Sequence, residues 1–446
     1  MSHRSRPGLS SQLKDKLIQK ALARRLQQVE QATPSTLPRS SAHPVPEAYY
    51  SFRHHPAYQQ VKLIATGAER LGIEDPFFRQ HTGVAGATTQ IDGHTYINFS
   101  SYNYLGLAGH PAVNAAAKQA IDTYGTSSSA SRSVSGERPL HRSLEQALAK
   151  AYDCEAALVF VSGHATNVTT LGHLFGPRDL IVHDELCHNS ILQGIKLSGA
   201  TRLSFPHNDY ARLEAILSEQ RIRHERVLVI AEGMYSMDGD FPDLPRLVEI
   251  KRRHYCFLMV DEAHSFGTMG THGLGLREHF GMAGSDVDIW MGTLSKTLAG
   301  CGGYIAGGGA LIDNLRFLAP GFLYSVGMPP PMAAASNAAL SCMQAEPERV
   351  VQLHERSQYF LEKAKSAGLD TGLSQGIAIA PVILGSSLRA GRLSNALFKR
   401  GINVQPILYP AVPEKAARLR FFLSCQHTPE QIDFTVKATA EAIASI

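Results

Sequence analysis

The sequence predicts an α/β protein: a large domain on a mostly parallel β-sheet with helices over both faces, followed by a smaller α+β domain. Three observations lead there. From about residue 98, short apolar runs rich in Val and Ile alternate with longer segments of helical period. These runs are continuously apolar, so both faces of the sheet are buried, as parallel sheets require. The chain has 446 residues, too many for one small core, and past about residue 335 the helices lengthen and the strands thin out.

Taken in order, residues 1–48 stand apart. Leu9, Leu13, Leu17, Leu22, Leu26 and Val29 recur at roughly helical spacing among Lys, Arg and Gln, the pattern of a basic amphipathic helix. The Pro/Ser-rich stretch QATPSTLPRSSAHPVPE then has the composition of a linker. Residues 49–100 read as an N-terminal arm, 101–335 as the large domain and 336–446 as the small one. Within the large domain the predicted strands are AALVFVSG, DLIVHD, TRLSFP, RVLVIAEG, FLMVDEAH, VDIWMGT and GYIAGG. Helices fall in ALAKAYDCE, from Asn189 to Ser198, and in DLPRLVEIKRRHY.

Composition narrows the function classes. Apolar residues make up 44% and charged residues 18%, a globular balance rather than a disordered one. The net charge of +4 comes with no basic stripe interleaved with aromatics, so nucleic-acid binding is not expected. No apolar stretch is long enough to span a bilayer, and MSHRSRPGLS lacks a signal-peptide core. Cys154, Cys187, Cys256, Cys301, Cys342 and Cys425 are scattered without a C-x-x-C pair, which fits reduced thiols in a cytoplasmic enzyme.

Parallel sheets bind ligands at the carboxyl ends of their strands, so the residues just after each run matter most. FLMV leads into Asp261, and a carboxylate there is costly unless it meets a cation or strong donors. It can cap the next helix, or hold a pyridine nitrogen protonated so that the ring becomes an electron sink. His264, three residues on, is placed to reach the phenolic oxygen of such a ring. VDIWMGT ends in Thr293-Leu294-Ser295-Lys296-Thr297. A desolvated lysine among small and hydroxyl residues is a competent amine nucleophile and base. Thr293 and Ser295 suit a phosphate, or serve only as loop residues. Ser162-Gly163-His164 opens a helix whose N–H groups can hold a phosphate, although a simple N-cap reads as well. His188 can stack on an aromatic ring or merely cap, and Glu232 and Ser236 follow VLVIA.

Other chemistries lack their motifs. GCGGYIAGGG has neither the preceding strand nor the following acid of a dinucleotide site, and G-x-x-x-x-G-K-[ST], H-E-x-x-H and G-x-S-x-G are absent. His183 and His188, with Asp184 and Glu185 between, match no familiar zinc spacing, and no metal is expected.

The segments AEGMYSMDGD, VDEAHSFGTMGTHGLG and GTLSKTLAGCGGYIAGG, with FSSYNYLGLAGHP, YGTSSSASRSVSGE and LRFFLSCQHT, resemble the α-oxoamine synthase family. The resemblance covers roughly residues 95–446 and implies a fold-type I transferase dependent on pyridoxal 5'-phosphate (PLP). It implies that Lys296 carries the cofactor and moves the substrate's α-proton, with Asp261 on the pyridine nitrogen and His264 on the phenolic oxygen. His188 would stack on the ring. Gly163, His164 and Thr293 would hold the phosphate, with Ser325 reaching across from the second subunit of a homodimer with shared sites. The family position of His164 is commonly aromatic. Asn103 and Ser236 would line the substrate side, and Arg420 would grip the amino acid's carboxylate bidentately.

The implied reaction joins an amino acid to an acyl thioester with loss of carbon dioxide, giving an α-amino ketone. Ser131 stands where glycine-using relatives tend to carry threonine, and one methyl less favours alanine or serine. GTSSSASRSVSGERPLH also resembles synthases that work beside acyl carrier proteins, so the donor is expected on such a carrier or on coenzyme A. Two alternatives stay open. Another fold-type I enzyme, such as an aminotransferase, needs the same Lys296 and Asp261, whereas a non-catalytic subunit of a heterodimeric synthase would lack the lysine.

Overall fold

The seven predicted apolar runs become one sheet in a computed structural model of the chain, which describes residues 45–70, 72 and 74–446. The amphipathic segment and most of the linker lie outside the described residues. The N-terminal arm contributes β1 (His81–Thr82), β2 (Thr88–Ile91) and β3 (His94–Asn98). The large sheet is built from β4 (Ala156–Phe160), β5 (Leu180–Asp184), β6 (Thr201–Phe205), β7 (Val227–Glu232), β8 (Phe257–Asp261), β9 (Ile289–Thr293) and β10 (Gly303–Gly307). Their order is β4-β10-β9-β8-β7-β5-β6. Only β10 runs antiparallel to its neighbours, β4 and β9.

Side chains alternate across the inner strands, and both sets are buried, whereas the edge strand β6 is largely exposed. Val227, Val229 and Ala231 of β7 join one apolar cluster, while Leu228 and Ile230 join another. The same alternation sends Leu258 and Val260 one way and Met259 the other, then Trp290 against Ile289 and Met291. This two-sided burial explains why the strands read as unbroken apolar runs. The predicted helices appear as Pro139–Tyr152, Asn189–Ser198 and Leu244–His254.

The C-terminal region carries helices Glu348–Ser366, Ser387–Phe398 and Pro429–Ser445 around β11 (Ile379–Ile383), β13 (Gln405–Ile407) and β14 (Arg418–Phe422). These three strands form an antiparallel sheet in the order β11-β14-β13. The short β12 (Ile402–Asn403) leaves that sheet and pairs in parallel with β3. The Phe422 N–H donates to the Phe99 carbonyl at 2.9 Å, and the Phe99 N–H to the Asn403 carbonyl at 2.9 Å. The arm is thus stitched to the C-terminal region, and the segment after Phe99 is held against the ends of the large sheet.

Candidate active site

The carboxyl ends of β4, β5, β7, β8 and β9 deliver Ser162, His188, Glu232, Asp261 and Lys296 to one side of the sheet. Asp261, the last residue of β8, is only 4% exposed. One carboxylate oxygen accepts the Ala263 N–H at 3.0 Å and the other accepts from the Asn167 amide at 2.8 Å. The local turn expected of a capping aspartate is therefore present, but it satisfies only one oxygen. Asn167 also donates to the Ser190 hydroxyl at 2.9 Å, and its own carbonyl oxygen is buried without a partner among the described residues.

Lys296 lies three residues past β9 and lines a cavity of about 390 Å³ with Ser100, Tyr102, Asn103 and Ser295. Desolvation brings its ammonium down to about 8, against the opposing pull of Asp261 and Glu232. Its Nζ stands 5.5 Å from the centre of the Tyr102 ring. Across the strands, Glu232 pairs in register with Asp261. Burial and then the Asp261 charge raise the Glu232 carboxyl well above its usual range. Its Oε1 accepts the His188 N–H at 2.5 Å. His188 caps the next helix through Nδ1, which accepts the Ser190 N–H at 3.2 Å.

The residues predicted to hold a phosphate lie on two neighbouring segments. Ser162 N-caps the helix Gly163–Leu174, whose first N–H groups have no intrahelical acceptor. Thr293 Oγ1 donates to the Gly302 carbonyl at 2.9 Å and receives the Ser295 N–H at 3.2 Å. A Cβ on Gly163 would come within 2.9 Å of that hydroxyl, so only glycine lets the helix start close against Thr293. His164 is exposed beside them.

On the substrate side, Arg420 of β14 reaches the Ser236 carbonyl at 3.1 Å and lies 4.5 Å from the Phe422 ring centre. Its buried Nε has no hydrogen-bond partner among the described residues. Asn103 borders the cavity, but its amide donates to the Ala85 carbonyl at 2.6 Å and accepts the Ala108 N–H at 3.1 Å. That pairing shows it tying the arm in place. Ser131 and Ser325 sit together elsewhere, because Ser131 forms an isolated β-bridge to Val326. Among the described residues, no hydrogen bond or ring contact joins either serine to Lys296, Asp261 or Arg420.

Sequence reasoning missed three residues here. Asn167 follows Gly163 by one helical turn and so faces the sheet, a spacing that could have revealed it. Tyr102 and Tyr104 carry no local signal. Tyr104 reaches His264 across 160 positions, with its hydroxyl 2.8 Å from Nδ1.

An anion cradle at a helix start, a buried carboxylate held by an asparagine amide, and a lysine of lowered basicity together suit a phosphorylated pyridine aldehyde. These features define a PLP-dependent enzyme of the α/β transferase class. The chain belongs to the class I and II aminotransferase family, whose model matches residues 94–438, and within it to the α-oxoamine synthases. It is 41% identical over 351 residues to the 8-amino-7-oxononanoate synthase of Symbiobacterium thermophilum, covering 79% of this chain and 89% of that one. The Thermosipho melanesiensis synthase of the same name is also 41% identical, with the same coverage. Among solved structures, Sphingomonas wittichii serine palmitoyltransferase superposes with a TM-score of 0.82 at 30% identity, covering 86% of this chain and 97% of that one. Francisella tularensis 8-amino-7-oxononanoate synthase gives 0.69 at 26% identity, covering 78% and 98%. This chain is accordingly a PLP-dependent acyltransferase, and it carries the lysine that a non-catalytic subunit would lack.

Proposed function

We propose that this enzyme condenses a small L-amino acid, alanine or serine before glycine, with an acyl thioester, releasing carbon dioxide and an α-amino ketone. The observation that carries the reading is that Lys296, which lines the cavity, lies within reach of the charges of both Asp261 and Arg420. Bound PLP supplies an electron sink for charge developing at the amino acid's Cα. Lys296 is neutral in an appreciable fraction near pH 7.5, so it can hold the cofactor's carbonyl carbon and then shuttle the α-proton. Asp261, fixed by Asn167, is set to keep the pyridine nitrogen protonated. Gly163, His164 and Thr293 receive the phosphate, and His188 faces the ring. Arg420 takes the substrate carboxylate, trading its contact with the Ser236 carbonyl for a charge-assisted pair.

Ser131 and Ser325 fit a second protomer's site. The bridge between residues 131 and 326 unites them on one surface, where Val134 (80%) and Tyr324 (86%) are exposed, and a second copy of the chain would cover it. We place the enzyme in the cytoplasm; none of the described helices is long and apolar enough to cross a membrane. The donor is a thioester of an acyl carrier protein or of coenzyme A, and in the first case the basic segment before residue 45 is the docking extension.

The test incubates the purified enzyme with single amino acids and paired coenzyme A and carrier-bound thioesters, reading amino ketones by mass. Ketone formation with alanine or serine is expected, and removal of residues 1–45 should slow only the carrier-bound donor. Amino-group transfer to a keto acid without ketone would overturn the reaction. Preference for glycine would overturn the role of Ser131, and equal rates after truncation would overturn the docking role.

A further inference from the structure

His264 is held from one side only. Its Nδ1 lies 2.8 Å from the Tyr104 hydroxyl, and no hydrogen bond reaches its Nε2 among the described residues. Aromatic rings fix its plane: Phe422 lies parallel at 6.1 Å, and Tyr102 and Tyr104 meet it edge-on at 5.9 and 6.2 Å. The Thr268 hydroxyl donates to the His264 carbonyl at 2.6 Å, anchoring the backbone beneath the ring.

The direction of the Tyr104–His264 bond follows from what each group can do. Tyr104 is 1% exposed and has no other hydroxyl partner among the described residues. A buried O–H without an acceptor is costly, so the phenol donates and Nδ1 accepts. Burial drives the phenol's ionisation well above its ordinary range, so the proton stays on the oxygen. Burial, reinforced by the charges of Lys296, Arg420 and His188, drives the imidazolium well below its ordinary range, so the ring is neutral. A neutral imidazole that accepts at Nδ1 must carry its hydrogen on Nε2.

We infer that Tyr104 is a positioning residue that locks His264 in the Nε2–H tautomer, so that the imidazole presents one fixed, uncharged donor to the cofactor's ring oxygen. The inference rests on the reading that His264 faces that oxygen. Without the phenol, the proton can settle on either nitrogen, and in one of the two tautomers a lone pair is turned to the ring.

The experiment compares Tyr104→Phe, His264→Gln and the double variant as PLP-loaded proteins. It follows the pH midpoint of the cofactor's visible absorbance and the rate at saturating substrates. Both single variants should move the midpoint in the same direction, with the Tyr104→Phe rate down about 3- to 10-fold, the loss of one hydrogen bond. The double variant should match His264→Gln alone, since the phenol acts only through the imidazole. Additive effects, or a wild-type midpoint in Tyr104→Phe beside a shifted His264→Gln, would overturn the inference. A wild-type midpoint in His264→Gln would instead show that His264 does not face the ring, and the inference would fall with that reading. Should Tyr104→Phe not fold, nitrogen NMR of histidine-labelled wild-type holoenzyme decides, with the His264 signals assigned by their loss in His264→Gln. An unprotonated Nδ1 with a protonated Nε2 is expected, and the opposite pattern refutes the assignment.

Discussion

Lys296 is where the chemistry of a single residue is most exposed to measurement. Desolvation brings its amine down to about 8, from an ordinary value of 10.5. The rate of cofactor capture by the apoenzyme should therefore rise with pH and level off just above 8, because only the neutral amine attacks a carbonyl. Continued increase toward 10.5 would mean a solvated lysine. The stability sign agrees: between pH 8 and 10.5 the unfolded chain binds more protons at this position, so the apoprotein gains stability as pH rises through that window. Lys296→Met should flatten that segment of the stability profile. Arg420 makes a second prediction at this scale. Arg420→Lys keeps the charge but loses the planar fork, so KM should rise about 10-fold or more for every amino acid tested, with kcat less affected. An unchanged KM would show that the carboxylate binds elsewhere. Lys296 and Asp261 were legible in the sequence because Asp261 closes one apolar strand and Lys296 lies three residues beyond another. Asn167, Tyr102 and Tyr104 were not, because they meet the site only through the tertiary fold.

At the scale of elements, strand register sets the electrostatics. β7 and β8 pair so that Glu232 faces Asp261, two carboxyl groups side by side with little water. Burial and the neighbouring Asp261 charge both disfavour ionisation of Glu232, whose Oε1 accepts the His188 N–H. Glu232→Gln should thus be nearly silent in thermal unfolding, because an amide oxygen can still accept that N–H. Glu232→Ala removes the acceptor, leaves a void, and should cost about 1–3 kcal/mol with a raised amino-acid KM. Equal destabilisation by both variants would mean that the charge of Glu232, and not its oxygen, matters. The large sheet could be read from its apolar runs because both of its faces are buried. The arm's sheet could not be completed from it, since β1 has two exposed residues and β3, beyond its local pairing with β2, finds its second partner at Ile402 only after some 300 intervening positions. Asn403 confirms the link from the other side: its amide donates to the Asn98 side chain at 2.9 Å.

For the whole molecule, the decisive question is whether one chain completes its own site. Lys296, Asp261 and Arg420 come together within a protomer, whereas Ser131 and Ser325 are held on the surface that carries Val134, Tyr324 and Val326. Exposed apolar residues in such a cluster are costly to leave in water, and a closed two-fold dimer would cover the same patch on both copies. If the patch lends Ser131 to the partner's site, two damaged chains can repair each other. Lys296→Ala removes the amine from its own site, and Ser131→Phe would fill the site its chain contributes to. In a mixed dimer, the intact Lys296 would then face the intact Ser131 in one of the two sites. Random reassembly makes half of the dimers mixed, so mixing the two inactive variants should restore about a quarter of wild-type activity. If each chain instead uses its own Ser131, every site in every dimer carries one lesion. Failure to regain activity, with subunit exchange confirmed by mass, would place the whole site within one chain and remove Ser131 from the shared interface.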